Sequence, residues 1–209
     1  DQELLLGTTD GLYIVKSKTK QLFNYKIPSA TQNKDPGNII MNVYADKKDI
    51  VWIGQWGDFL SSFDTKSKTF SFYQPLLQNA LKRENVNLSI VPANNDSILL
   101  VSDLYHGVFL FNSKTGKPVK HLIVPGRKVV DYNSCFVDRN NGIWLATSNG
   151  VFVIDPLKQI ITTHQLMPGD SPPQSQRGSV FAISERKDNS PSPVAWVHSY
   201  MDGIVKADL

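Results

Sequence analysis

Short runs of alternating apolar and polar residues recur along the chain, and they predict β-strands rather than helices. The runs are rich in Val, Ile, Phe and Tyr, and their apolar residues repeat at every second position. Asp, Asn, Gly, Ser and Lys cluster between the runs, as they do in hairpin turns. The segment from Trp52 to Asp64 shows the pattern most clearly, because it predicts one strand, a tight Gly/Asp turn and a second strand.

One apolar position recurs in the second strand of each unit and serves as the anchor of a repeat. The anchors lie 44 to 52 residues apart, at Leu5, Trp52, Leu100, Trp144 and Trp196. A glycine follows six or seven residues later in every unit except that of Trp52, where Phe59 takes its place. Four-stranded propeller blades recur at about this period. The sequence therefore predicts an all-β fold, a β-propeller of about five consecutive four-stranded blades.

The repeat also predicts where each blade lies within a single propeller segment that covers residues 1–209. The predicted blades span residues 1–26, 38–75, 85–124, 132–166 and 178–209. The chain begins at a second strand and ends at a third, so we expect both terminal blades to be incomplete. We interpret the chain as a fragment of a larger ring, whose unpaired strand edges would meet the remaining blades or a second subunit.

Composition excludes some classes of partner. The net charge of +3 is small, so the basic stripe of a nucleic-acid-binding protein is not expected. No apolar run approaches the roughly 18 residues of a membrane helix, so we expect no membrane contact by this segment itself. The single cysteine, Cys135, cannot form an internal disulfide and is expected to be a small buried residue. The anchor aromatics are expected to pack against neighbouring blades.

Three segments carry a family resemblance: DKKDIVWIGQWGDFLSSFD at 46–64, DRNNGIWLATSNGVFVID at 138–155 and LLLGTTDGLYIV at 4–15. They resemble two-component regulator propeller repeats, which run from an Asp through a Gly/Asn turn to Trp-Ile-Gly-Thr, Gly-Leu and Tyr-Asp. The units anchored at Leu100 and Trp196 depart from that pattern. The motif is fairly specific as a repeat and indicates no particular ligand.

The resemblance implies the periplasmic sensor region of a bacterial hybrid two-component system, whose parent protein carries a transmembrane helix in the inner membrane and a histidine kinase. It also implies sensing of glycan-derived ligands, with the signal relayed to the kinase. A non-catalytic sensor segment is therefore the leading expectation. A propeller scaffold for protein–protein interaction and a propeller enzyme acting on glycans are the alternatives, because the fold alone does not choose between them.

One rim of the predicted propeller is the candidate ligand-binding face, for an oligosaccharide that could bear acidic groups. Aromatic residues in the turns between second and third strands, together with cations in the long connections between blades, would meet there. These residues are Trp56, Tyr105, Tyr200, Lys82, Arg83, Arg127, Lys128 and Arg177. Trp56 is expected to be exposed, whereas Trp52 should be packed between blades.

No catalytic residue, metal site or cofactor is predicted. Four aspartates, at positions 10, 58, 103 and 202, lie in the same turns, and we attribute them to turn formation. The four histidines lack paired metal-ligand spacing, and no serine lies in a nucleophile-elbow motif. We therefore expect no enzymatic activity of this segment.

Overall fold

A computed structural model of the protein describes residues 3–28, 39–56, 60–73, 87–93, 97–123, 131–138, 140–148, 150–155, 161–164, 180–185, 194–199 and 203–208. These residues form strands and turns, and none of them belongs to a helix that is long and apolar enough to cross a membrane. The prediction of an all-β fold is confirmed.

The strands form five antiparallel sheets in chain order, as the blades of a propeller do. Sheet 1 consists of β1 (Glu3–Thr8), β2 (Gly11–Lys16) and β3 (Leu22–Tyr25). Sheet 2 consists of β4 (Ile40–Ala45), β5 (Ile50–Gln55), β6 (Ser61–Asp64) and β7 (Thr69–Phe72). Sheet 3 consists of β8 (Asn87–Pro92), β9 (Ile98–Asp103), β10 (Gly107–Asn112) and β11 (Lys117–Leu122). Sheet 4 consists of β12 (Tyr132–Val137), β13 (Ile143–Thr147), β14 (Gly150–Ile154) and β15 (Ile161–His164). Sheet 5 consists of β16 (Val180–Glu185), β17 (Val194–Ser199) and β18 (Gly203–Asp208).

The chain forms two compact units, Asp1–Ile90 and Val91–Leu209. In the first unit, sheets 1 and 2 bury a shared core of apolar side chains. This core consists of Leu12, Ile14, Ile27, Ile40, Val51, Ile53 and Phe63, with Leu5 and Val43 packed at its margin. Because strand side chains alternate between faces, the residues that β2 and β5 contribute to this core are two positions apart, Leu12 with Ile14 and Val51 with Ile53.

In the second unit, sheet 4 is covered on both faces. Ile143 and Leu145 of β13 pack toward sheet 3, whereas Trp144 and Ala146 pack toward sheet 5. The core between sheets 3 and 4 also contains Leu100, Val108, Leu122, Tyr132, Cys135, Phe152 and Ile154, and that between sheets 4 and 5 contains Val151, Ile183 and Val197. Cys135 is therefore a buried core residue, as predicted.

The first strands of sheets 2, 4 and 5 share a β-bulge at the same repeat position. The register shifts between Ile40 and Asn42, between Tyr132 and Ser134, and between Val180 and Ala182. In each case the extra residue of the first strand lies opposite the peptide bond that joins the second and third residues after the anchor in the second strand. A recurrent bulge bends the strand and increases its twist at the end where the ligand-binding rim was predicted.

The turns between second and third strands occur in two lengths, as the sequence predicts. Two residues separate Thr8 from Gly11 and Thr147 from Gly150, whereas three separate Asp103 from Gly107. In both short turns the threonine hydroxyl donates to the glycine carbonyl, at 2.9 and 2.8 Å. The three glycines have φ between 104° and 108°, a region that L-residues rarely adopt.

The anchor side chains differ in burial. Trp144 is buried between sheets 4 and 5, where its indole Nε1 donates to Asp138 Oδ2 at 2.7 Å. Trp196 holds the same position in sheet 5 and is 42% exposed. Among the described residues none forms a core on the Trp196 side of sheet 5, so packing of Trp196 against a neighbouring blade stays a prediction.

Candidate functional site

Two of the eight predicted ligand-binding residues, Trp56 and Tyr105, lie in the described part of the chain. Lys82, Arg83, Arg127, Lys128, Arg177 and Tyr200 lie outside the described residues. The structure thus describes one aromatic residue of the predicted rim in each compact unit, and the basic component of the rim remains a prediction.

Trp56 follows β5 and presents its indole to solvent. Its side chain is 39% exposed, whereas Trp52, four residues earlier, is 2% exposed and lies with its ring centroid 5.2 Å from that of Tyr73. The backbone of Trp56 is held in place, because its N–H donates to the carbonyl of Ile39 at 3.1 Å. The predicted contrast between a packed Trp52 and an exposed Trp56 is confirmed.

Buried polar contacts fix the end of β5 from which Trp56 projects. Gln55 is buried, and its side-chain oxygen accepts a hydrogen bond from the Ser61 hydroxyl at 2.8 Å across the hairpin. A bulge in β4 lies opposite this strand end. An exposed aromatic face on a hydrogen-bonded strand end is suited to stack against the apolar face of a sugar ring.

Tyr105 occupies the middle of the β9–β10 turn, which Asp103 organises. The buried Asp103 carboxylate accepts from the backbone N–H groups of Tyr105 and His106, at 3.0 and 3.1 Å, and contacts the His106 ring nitrogen Nδ1 at 2.7 Å. The carbonyl of Leu104 accepts from Tyr132 N at 2.9 Å, which ties this turn to sheet 4. The interpretation of Asp103 as a turn-forming residue is confirmed.

Asp10 behaves differently from Asp103, since its carboxylate binds other side chains. It accepts hydrogen bonds from the Tyr13 hydroxyl at 2.9 Å and the Asn24 amide at 3.1 Å, and it forms an ion pair with Lys26. The backbone of this turn is instead held by Thr8, whose hydroxyl accepts from Asp10 N at 3.0 Å. The expectation that Asp10 serves the turn backbone is therefore wrong, because Thr8 takes that role.

The four side chains of Asp10, Tyr13, Asn24 and Lys26, here called the Asp10 cluster, are a surface that the sequence analysis missed. Tyr13 and Asn24 face each other across β2 and β3, a pairing that depends on hairpin register. The hydrogen bond from Lys26, followed by that from Tyr13, lowers the pKa of Asp10. The same carboxylate raises the pKa of Tyr13, because the phenol donates a hydrogen bond to it.

The Asp10 cluster and Trp56 belong to the same compact unit and to the same end of their sheets. Asp10 lies in the turn after β1 and Trp56 at the start of the turn after β5, and these are the second strands of adjacent repeat units. The cluster offers an exposed carboxylate, amide and ammonium group and a half-buried phenol. Such groups donate to and accept from hydroxyls, which complements an aromatic stacking surface.

The other chemically versatile side chains in the described residues serve the fold. His121 stacks on Phe109, with ring centroids 4.4 Å apart and planes 3° apart, and its Nε2 donates to the carbonyl of His106. Within the ranges the structure describes, no three His, Cys, Asp or Glu side chains come together as a metal site.

Comparisons with known proteins identify solved structures that share this fold. No protein-family model and no curated protein matches the sequence. Among solved structures, the chain resembles the extracellular domain of the assigned hybrid two-component system BT3049 from B. thetaiotaomicron, with 20% identity, a TM-score of 0.73, and coverage of 99% of this chain and 26% of that one. It also resembles the extracellular domain of the assigned one-component system BT4673 from the same organism, with 18% identity, a TM-score of 0.75, and coverage of 98% and 25%.

A third similar structure is the computationally designed Ika8 protein, with 14% identity, a TM-score of 0.67, and coverage of 100% of this chain and 56% of that one. The chain thus spans about a quarter of the length of the two bacterial domains. At these identities the likeness concerns the fold alone. The chain has a β-propeller fold, built from consecutive antiparallel sheets of three or four strands.

Proposed function

We propose that this chain is a non-catalytic segment of an extracytoplasmic sensor domain in a two-component system. The observation that carries the proposal is the fold shared over 99% of the chain with an extracellular domain assigned to a hybrid two-component system. The resemblance of segments 46–64 and 138–155 to two-component regulator propeller repeats supports the same role. The segment would act outside the inner membrane, as part of a parent protein anchored there.

The proposed ligand is an oligosaccharide released from a glycan. The exposed indole of Trp56 provides a stacking surface, and the Asp10 cluster in the same unit provides hydrogen-bonding groups for hydroxyls. Lys82, Arg83, Arg127, Lys128 and Arg177, with Tyr105 and Tyr200, would extend the rim toward acidic sugars. Ligand binding would favour one arrangement of the sensor domain, and the kinase would respond to that population shift.

Calorimetric titration of the purified chain with neutral and acidic oligosaccharides tests this ligand class. We expect Trp56→Ala to weaken binding at least about tenfold while the melting temperature stays near that of the wild type. Phe72→Ala is the matched control, because Phe72 is equally exposed but lies on an outer strand. Equal affinities for the two variants would contradict a role of Trp56, and failure of every oligosaccharide to bind would contradict glycan recognition by this segment.

The sensor role is tested separately, by sequencing the parent gene downstream of the codon for Leu209. A transmembrane helix followed by a histidine kinase domain is the expected result, and a glycan-processing domain there would contradict the proposal. A propeller scaffold for protein–protein interaction is the second candidate, and it is favoured by exposed apolar side chains on outer strands, such as Leu22 and Val119. Reproducible glycan turnover that is lost on Asp103→Asn would instead support an enzyme.

A further inference from the structure

The outer strands of the adjacent sheets 1 and 2 carry aromatic side chains that lead from the core of the first unit to solvent. The ring centroid of the buried Phe63 lies 4.6 Å from that of Tyr25 and 4.8 Å from that of Phe70, which in turn lies 6.5 Å from Phe72. Phe72 is 40% exposed, and Phe23, on the same face of β3 as Tyr25, is 37% exposed. We call Phe23, Tyr25, Phe70 and Phe72 the outer seam. Exposed aromatic side chains grouped in this way mark interaction surfaces.

Lysine side chains lie over the rings of the outer seam. Lys16 Nζ lies 5.3 Å from the ring centroid of Phe23. Lys68 Nζ, from sheet 2, lies 5.6 Å from the ring centroid of Tyr25 on sheet 1. An ammonium group at this distance from an aromatic face is attracted to the ring. Apolar and positively charged surface therefore lie side by side along the seam.

The turns that lead into β3 and β7 add to this positive charge. Residues 16–21 contain three lysines and no acidic residue, whereas residues 64–69 contain two lysines and Asp64. The Asp64 carboxylate already accepts from the backbone N–H groups of Lys66 and Ser67, at 2.8 and 3.1 Å. This end of the seam therefore favours a partner with acidic groups.

The outer edge of β7 presents backbone groups of the seam residues. Among the described residues, none pairs with β7 on that side. Tyr73 N donates to the Leu60 carbonyl at 3.1 Å. Because hydrogen-bonded and non-hydrogen-bonded pairs alternate in an antiparallel ladder, the N–H and C=O groups of Phe70 and Phe72 point away from β6. A strand along this edge would thus hydrogen-bond to the same residues whose rings line the seam.

Two other outer strands are less suited to such pairing. In sheet 1, Lys16 N donates to the Gln21 carbonyl at 2.9 Å, so the same alternation turns the backbone groups of Phe23 toward β2. In sheet 3, β11 contains Pro118, and its pairing with β10 is interrupted by a register shift. Prolines and irregularities of this kind discourage pairing at a sheet edge. Neither strand combines an open backbone edge with an aromatic surface as β7 does.

We propose that β7 and the outer seam bind an extended, acidic segment of a second protein, which adds a strand to sheet 2. Backbone pairing along β7 supplies affinity, and alternate apolar side chains of the segment pack on Phe23 and Phe72. Carboxylates of the segment lie beside Lys16 and Lys68 and guide its approach. The spacing of the open N–H and C=O groups identifies the partner as a peptide strand. This inference does not depend on the proposed sensor role or on the proposed glycan.

Fluorescence anisotropy with a labelled synthetic peptide tests the proposal. In the probe peptide, Phe and Thr alternate over six positions and are followed by three Asp residues. One matched peptide ends in three Lys residues, and the other carries N-methyl groups on the six alternating residues, which removes the N–H donors that strand pairing needs. Both matched peptides are expected to bind at least about tenfold more weakly than the probe.

Variants of the seam locate the contact. Phe72→Ser and Lys68→Glu are each expected to weaken binding of the probe at least about tenfold. The matched controls are Val119→Ser, on the outer strand β11, and Lys114→Glu, in the corresponding turn of sheet 3, and both should bind as the wild type does. All four side chains are exposed, so thermal melting should show each variant folded.

Failure of the probe to bind the wild-type chain at about 1 mM would overturn the proposal. Equal affinity for the N-methylated peptide would overturn pairing along β7, and undiminished binding to Phe72→Ser would overturn the role of the seam. Dextran sulfate provides the remaining distinction. If it displaces the probe and binds less tightly to Lys68→Glu but not to Phe72→Ser, the surface recognises polyanions and the peptide proposal is wrong.

Discussion

Trp144 and Trp196 hold the same position in the repeat, yet their side chains differ in exposure among the described residues. Trp144 is 4% exposed, stacks on Phe136 with ring centroids 5.8 Å apart, and donates to Asp138. Trp196 lies at the equivalent position of β17, the second strand of sheet 5, but no described residue forms a core on its side of that sheet. Repeat position thus fixes which face a side chain points to, whereas the neighbouring sheet decides whether that face is buried.

Truncation of the two tryptophans to alanine should give the largest difference in stability between a buried and an exposed anchor position. We expect Trp144→Ala to lower the free energy of unfolding by about 3–5 kcal/mol, the range for a buried aromatic. Trp196→Ala should change it by less than about 1 kcal/mol, because that side chain is exposed. Denaturant unfolding measures both values. Equal losses would mean that the Trp196 side chain is covered within the folded chain.

The same comparison extends to the small residues beside the anchors, Gly7 in sheet 1 and Ala146 in sheet 4. A Cβ at Gly7 would clash with Ile40 Cγ2, so sheets 1 and 2 approach too closely for any side chain there. We expect Gly7→Ala to destabilise by about 1–3 kcal/mol through overpacking. Ala146→Gly, in contrast, should cost only about 0.5–1 kcal/mol, mainly through chain entropy. Thermal unfolding of the two variants checks this, and a neutral Gly7→Ala would contradict the close packing.

Asp138 should account for part of the stability that Trp144 gains from its surroundings. Its Oδ1 accepts from Asn140 N and Gly142 N at 2.8 Å each, while Oδ2 accepts from the Trp144 indole. Asp138→Asn can retain the turn bonds but not the indole bond, so we expect a loss of about 1–3 kcal/mol. In a Trp144→Phe background the same substitution should cost less, as a double-mutant cycle in denaturant would reveal. An unchanged cost would assign the effect to the turn alone.

Sheets 2 and 3 offer a smaller contrast, in their response to acid. Asp64 and Asn112 form the same turn, and each side-chain oxygen accepts from the backbone N–H groups two and three residues later. The bonds from Ser67 N and Lys66 N lower the pKa of Asp64. Its ionised form therefore stabilises the fold above the carboxyl's ordinary pKa, and this contribution is lost as the pH falls through the lowered value.

Asp64→Asn should give sheet 2 the turn that sheet 3 already has. Stability near neutral pH should change little, and the loss of stability below about pH 4 should become shallower than in the wild type. Denaturant unfolding across this pH range measures the difference. A parallel pH dependence of the two proteins would contradict the role assigned to Asp64.

The smallest expected effect concerns the Asp10 cluster, which has no counterpart among the described residues of the other sheets. Asp10→Asn removes the carboxylate that accepts from Tyr13, so the raised pKa of Tyr13 should fall toward the ordinary value. An NMR titration with selectively labelled tyrosine resolves this one phenol. A Tyr13 pKa that does not change would contradict the hydrogen bond in the cluster.

The amino-acid sequence determined the local features of this protein. Strand alternation, the glycines after the anchors, and turn residues such as Asp64, Asn112 and Asp138 act through neighbours a few positions away, so the pattern predicts the strands, hairpins and repeat. Position along the chain also separated the packed Trp52, in the middle of β5, from the exposed Trp56, which follows the end of that strand.

The tertiary structure decided what depends on distant parts of the chain. The bulges in β4, β12 and β16, the Asp10 cluster formed across a hairpin, and the exposure of Trp196 all depend on strand register or on which sheet packs alongside. A repeat pattern describes each blade as equivalent to the others. Burial is instead a property of two surfaces in contact, so the same anchor position is core in sheet 4 and open to solvent in sheet 5.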